Sequence, residues 1–233
     1  MIGSLVEDVV AANRVLVAHG VLDGYGHVSA RHPRDPQRYL MAWARAPELV
    51  TAADVLELDL DSRPVTATDR PLYSERFIHG EIYRARPDVA AVVHHHAPSV
   101  IPYGVAGVPL RPLYHMSAFI GGGVPVFEIR EAAGEATDML VRTPALARAL
   151  AETLGGRAAA LMRGHGAVVV GASLSQAVGR SLYLELNARL QTQAIALGGS
   201  PRYLDADEAR LATATLGGYE RAWELWKRAG LRP

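Results

Sequence analysis

The run Ala90-Ala91-Val92-Val93-His94-His95-His96 constrains this chain more than any other segment. Small and β-branched residues in an unbroken series form a buried strand. Side chains at i and i+2 project to the same face of a strand, so His94 and His96 point together and His95 points away. Two imidazoles on one face of a strand end make half of a facial metal site. The same run also reads as a polar strand end that ligates nothing, and spacing alone does not choose. His165, between Gly164 and Gly166 where two strand-like runs meet, is the candidate third ligand. Flanking glycines let the backbone turn sharply and leave the ring approachable. A single histidine in a turn is more often structural; beside a separate His-x-His it becomes a third ligand. Glu75 has His79 one turn further along the same helical face. That pair is either a surface contact or a carboxylate near the metal, acting as ligand or general acid/base.

Composition narrows the chemistry. The 233 residues include no cysteine, which leaves imidazoles and carboxylates as the strong metal ligands. Lys+Arg and Asp+Glu each number 24, with no basic run, so nothing marks a nucleic-acid surface. No apolar stretch approaches the roughly 20 residues that span a bilayer. The amphipathic N-terminus lacks the basic and long apolar regions of a signal peptide. A cytoplasmic protein that binds neither membrane nor nucleic acid is the expectation.

Periodicity places helices over Ser4 to His19, Pro71 to Arg84, Thr143 to Leu154, Ser173 to Leu197 and Asp205 to Ala229. Strands are expected at His27 to Arg31, Gln37 to Trp43, Val55 to Leu60, Ala90 to His96, Val124 to Ile129, Ala158 to Arg163 and Gly166 to Gly171, with a Thr51-capped turn before the third. Helices and strands interleave without a repeat or a linker, so residues 1–233 read as a single α/β domain.

In order along the chain, GHVSAR, SERFIHGEIYRARPDVAAVVHHHAP and RGHGAVVVG resemble the class II aldolase/adducin family. The likeness extends from the first helix to the long C-terminal helices. It implies one α/β/α domain with a central, mainly antiparallel sheet, assembled as a homotetramer with sites between subunits. It also implies one divalent ion per subunit, manganese, zinc or iron, on His94, His96 and His165, with Glu75 as the catalytic carboxylate. The proton-donating tyrosine that family aldolases take from a neighbouring subunit falls at about His115, beside Tyr114.

Sugar-phosphate members of that family cradle phosphate with small residues. The corresponding places here are Gly26-His27, Trp43 to Pro47, and Tyr73-Ser74. Bulky side chains obstruct the close approach that backbone amides need to hold phosphate. The segments ARAPELVT, RPLYSERFIHGEIYRARPDV and PSVIPYGV are instead similar to the branch that decarboxylates hydroxy-aromatic acids. The expected substrate is a small ortho-hydroxy aromatic or heteroaromatic (di)carboxylate, losing CO₂ through an enolate that the ion stabilises. His27, Arg45, Tyr73, Ser74 and Arg76 are the expected substrate contacts, with Arg31 a further candidate for the second carboxylate. Glu75, His115 or a water delivers the proton. An aldolase-type lyase, a His₃ iron oxygenase and a non-enzymatic scaffold are the competing readings.

Overall fold

The strand Ala91–His95 runs through the middle of the sheet in the computed structural model, which describes residues 2–134, 136–198 and 200–230. The strands are β1 (His27–Arg31), β2 (Arg38–Ala42), β3 (Val55–Asp59), β4 (Ala91–His95), β5 (Val126–Phe127), β6 (Ala159–Met162) and β7 (Gly166–Gly171). Their order is β3-β2-β1-β4-β7-β6-β5, and every neighbouring pair is antiparallel except β5 with β6. The helices are α1 (Ile2–Ala18), α2 (Phe77–Ala85), α3 (Ile101–Val105), α4 (Ile129–Ala133), α5 (Pro144–Leu154), α6 (Leu174–Ala196), α7 (Ala206–Leu216) and α8 (Glu220–Gly230).

Strand alternation sorts the core into two layers. Val93, Ala91, Val28 and Val169 face α1 and α6, where Val9, Leu16, Val178 and Leu184 cover them. Val92, Val168, Val170 and Tyr39 face α2 and α5, packing against Ile78, Ile82, Leu150 and Leu154. The result is the expected α/β/α sandwich about a mainly antiparallel sheet. Val92 and Val93 are fully buried, and each contributes on the order of 1.5–3 kcal/mol. That burial fixes the register of the histidines that follow, because a one-residue slip would swap both faces. No described helix is long and apolar enough to cross a membrane.

Three of the expected elements take a different form. The helix expected from Pro71 begins at Phe77. Residues 71–73 lie outside any helix, with the Pro71 carbonyl accepting from the Ala44 amide, and Ser74 to Arg76 form a turn. The strand expected over Val124 to Ile129 shortens to Val126–Phe127, because the Glu128 side chain caps the Arg130 amide and starts α4. The closing helix from Asp205 breaks at Gly217-Gly218-Tyr219 into α7 and α8. Gly217 and Tyr219 both have positive φ, and the Tyr219 ring lies where a Cβ on Gly179 of α6 would stand. The break returns α8 onto α1, where Lys227 pairs with Asp8.

Candidate metal centre

β4 delivers His94 and His96 to the α2–α5 side of the sheet and sends His95 to the opposite side, as alternation requires. His165 comes from the turn between β6 and β7. β7 approaches β4 so closely there that a Cβ on Gly166 would lie 2.0 Å from the His95 carbonyl oxygen. Glu75 comes from the turn before α2 and is buried; its Oε1 accepts a 2.8 Å hydrogen bond from the Val141 amide. One ligand atom from each of Glu75, His94, His96 and His165 lies within 4.8 Å of the others.

The spacing fits a cation. The His96 Nε2 lies 3.1 Å from the Nε2 atoms of both His94 and His165, and Glu75 Oε2 lies 3.5 Å from the latter two. Donor atoms about 2.0–2.1 Å from a tetrahedral ion stand roughly 3.3–3.4 Å apart. The His94 Nδ1 faces the Ala167 carbonyl at 3.1 Å. A carbonyl only accepts, so this nitrogen carries the hydrogen and the Nε2 lone pair turns inward, the usual outer hydrogen bond of a metal-ligating histidine. Three imidazole nitrogens and a carboxylate thus converge on one point, and the donor set suits zinc, manganese or iron.

Electrostatics follow from that crowding. Burial raises the Glu75 pKa, but His165 and His94, 3.5 Å away, outweigh it when they are protonated in the metal-free site and hold the carboxyl well below its ordinary range. Burial, then His94 and His165, pushes His96 down to about 4. Burial also lowers His79 to about 3, with His94 adding to the effect.

The remaining expected site residues divide. His27 lies opposite His94 in the β1–β4 register, with ring centroids 5.0 Å apart, and the Tyr73 ring is 4.8 Å from it. The Tyr73 hydroxyl donates to the Arg45 carbonyl oxygen, tying this wall to the loop after β2. Arg45 uses its Nε on the Leu49 carbonyl and stands 3.6 Å from Asp54; among the described residues no acceptor takes up its terminal nitrogens. Ser74 is exposed. Arg76 is committed elsewhere, donating to the Ser62 and Tyr73 carbonyls. Arg31 likewise donates to the carbonyls of Val89, Pro36, Tyr83 and Arg86. His115 is exposed at the start of a 3-10 turn, His115–Ile120.

Two supports escaped the sequence reading. The Val141 amide that holds Glu75 lies 66 residues away, and no local pattern announces it. His79, expected beside Glu75, bonds instead to His27 at 2.6 Å and to Ser29 at 2.6 Å. The alternation His27-Val28-Ser29 was the available signal, since it sets His27 and Ser29 on one face.

Comparison with known proteins gives a consistent result. The model of the Class II Aldolase and Adducin N-terminal domain matches residues 7–192. A decarboxylase, tropJ, of Talaromyces stipitatus is 38% identical over 92% of this chain and 89% of its own length. A 3,4-dihydroxyphthalate decarboxylase of Arthrobacter keyseri is 32% identical over 95% of this chain and 90% of its own. The solved structure of an L-fuculose 1-phosphate aldolase from Glaciozyma antarctica superposes with a TM-score of 0.80 at 23% identity, covering 98% of this chain and 88% of that one. At that identity the likeness concerns the fold alone.

Proposed function

The chain belongs to the class II aldolase and adducin family, and from that premise we propose that it is a divalent-metal-dependent carboxy-lyase acting on an ortho-hydroxy aromatic or heteroaromatic acid. The observation that carries this reading is the convergence of Glu75, His94, His96 and His165 beside the His27–Tyr73 wall. Relatives named as decarboxylases, alike over most of their length, support the choice of reaction.

His94, His96 and His165 would hold the ion, manganese, zinc or iron. Bound there, it supplies Lewis acidity, lowering the pKa of an adjacent hydroxyl and stabilising negative charge on that oxygen. The protein does the rest. The Tyr73 and His27 rings, tilted 44° to one another, offer an aromatic wall to the substrate ring. Arg45, whose backbone carbonyl meets the Tyr73 hydroxyl, has terminal nitrogens that no described residue takes up, and its planar fork suits a second carboxylate. Ser74, exposed beside Tyr73, offers that group a hydroxyl. Arg76 and Arg31 are bound to backbone carbonyls and take structural roles. Glu75, its Oε1 held by the Val141 amide and its Oε2 3.5 Å from the His94 and His165 nitrogens, is placed to take a proton from substrate or water and return it. Protonation at the carboxyl-bearing ring carbon, from Glu75, water or His115 of a neighbouring subunit, makes the C–C bond labile; CO₂ leaves and the ring regains aromaticity.

The experiment is a panel of hydroxyphthalates, hydroxypyridine dicarboxylates and ketose phosphates, assayed with Mn²⁺, Zn²⁺ or Fe²⁺ for CO₂, aldehyde and oxygen uptake. CO₂ from an aromatic acid without oxygen uptake is expected. Aldehyde from a sugar phosphate, with no CO₂ from any acid, overturns the reading in favour of an aldolase.

A further inference from the structure

We propose that Tyr83, Ser29 and His79 lock the His27 imidazole as its Nε2–H tautomer, so that His27 meets substrate as a hydrogen-bond donor rather than as a base. The four groups form a buried chain. The Tyr83 hydroxyl is 2.7 Å from Ser29 Oγ, Ser29 Oγ is 2.6 Å from His79 Nδ1, and His79 Nε2 is 2.6 Å from His27 Nδ1. All four side chains are buried.

Hydrogen counting gives the chain a direction. A neutral imidazole has one N–H, so each contact contains one hydrogen and the series runs one way or the other. In one direction Tyr83 donates to Ser29, Ser29 to His79 Nδ1, and His79 Nε2–H to His27 Nδ1. His27 then carries its own hydrogen on Nε2, and the Tyr83, Ser29 and His79 hydrogens each have an acceptor. In the other direction Ser29 donates to Tyr83, and the Tyr83 hydrogen needs a further acceptor. Among the described residues the Tyr83 hydroxyl has one acceptor, the Ser29 oxygen. A buried hydroxyl left without an acceptor biases such an equilibrium by roughly one to two orders of magnitude. Both rings are buried with no carboxylate in the series to pair with a second proton, so each is counted as neutral.

No described residue takes up the His27 Nε2, while His94 and Tyr73 lie against its ring. A fixed N–H therefore stands beside the three-histidine cluster. It suits a substrate carboxylate or phenolate oxygen, and it disqualifies His27 as the proton acceptor. Its effect on turnover rests on the carboxy-lyase reading; the tautomer itself does not.

Nitrogen NMR of the full chain carrying ring-¹⁵N histidine, loaded with diamagnetic Zn²⁺ and assigned with a His27→Gln control, reads the tautomer directly. Protonated Nε2 and bare Nδ1 on His27 are expected, and Tyr83→Phe should move both resonances toward a mixture. In activity, Tyr83→Phe and Ser29→Ala should lower kcat by roughly 5- to 30-fold at unchanged zinc content, and Ser29→Thr should restore most of the loss. A hydrogen on His27 Nδ1 in the parent protein overturns the proposal whatever the activity. A protonated Nε2 in a protein that releases no CO₂ upholds it and counts against the lyase reading instead.

Discussion

Gly166 is the point at which β7 presses on the backbone of β4: a Cβ there would stand 2.0 Å from the His95 carbonyl oxygen and 3.0 Å from the His96 Cα. The atoms it would strike are main chain, which cannot rotate away. Gly166→Ala must therefore separate the strands that carry His96 and His165. Expected are a loss of about 1–3 kcal/mol in stability and a fall in metal affinity of at least about tenfold. Thermal denaturation and metal titration measure these; an alanine variant with parental affinity would show that this contact does not set the site.

His95 and His94 are adjacent, buried and chemically identical, yet alternation sends them to opposite faces. His94→Ala should leave the purified protein without bound metal. His95→Ala should keep most of its metal and lose about 0.5–3 kcal/mol of stability. Full metal occupancy in His94→Ala would remove the proposed ligand set.

Glu75→Gln keeps the shape and an oxygen for the Val141 amide while removing the charge near His94 and His165. The expected outcome is a kcat lower by about 10²–10⁴ with metal still bound. Unchanged turnover at saturating metal would strip Glu75 of its acid/base role.

Acid should weaken the metal-free protein well above the ordinary carboxylate range. Burial lowers both His79 and His95 to about 3, below the value of about 6.5 they hold when unfolded. The unfolded chain thus binds more protons between these values. The stability these groups contribute is present in full above about pH 6.5 and declines toward pH 3, at up to about 1.4 kcal/mol per pH unit for each. Urea unfolding of metal-free protein at pH 7.5 and 5.5 checks this; equal stabilities would mean that these histidines are solvated or paired when protonated.

His115 is exposed in the single chain, which fits a group that acts on a neighbour's site. Sedimentation should show an oligomer, a tetramer by family likeness, and His115→Ala should lower turnover without changing mass or metal content. A fully active monomer would contradict this arrangement.

The strands and the convergence of the three histidines were legible because short-range rules govern both. Val92-Val93 sets the strand, period-two alternation selects His94 and His96, and the glycines mark the His165 turn. Boundaries were less legible where one distant contact decides them. Pro71 is permissible at a helix start, but its carbonyl is taken by Ala44. The C-terminal helix breaks because Tyr219 packs on Gly179, forty residues earlier in the sequence. The arginines show the same limit. Arg31, Arg45 and Arg76 are equivalent in sequence, and only their partners reveal that the first and third commit terminal nitrogens to backbone carbonyls.

The central claim is that one divalent ion on His94, His96 and His165 drives release of CO₂ from an ortho-hydroxy aromatic acid. Its most direct test is CO₂ release measured while Mn²⁺ is titrated into the metal-free protein with a hydroxyphthalate as substrate. Activity should rise from zero and reach a plateau at one equivalent per chain, and His94→Ala should stay at zero throughout. Equal CO₂ release from the metal-free and metal-loaded protein would contradict the account.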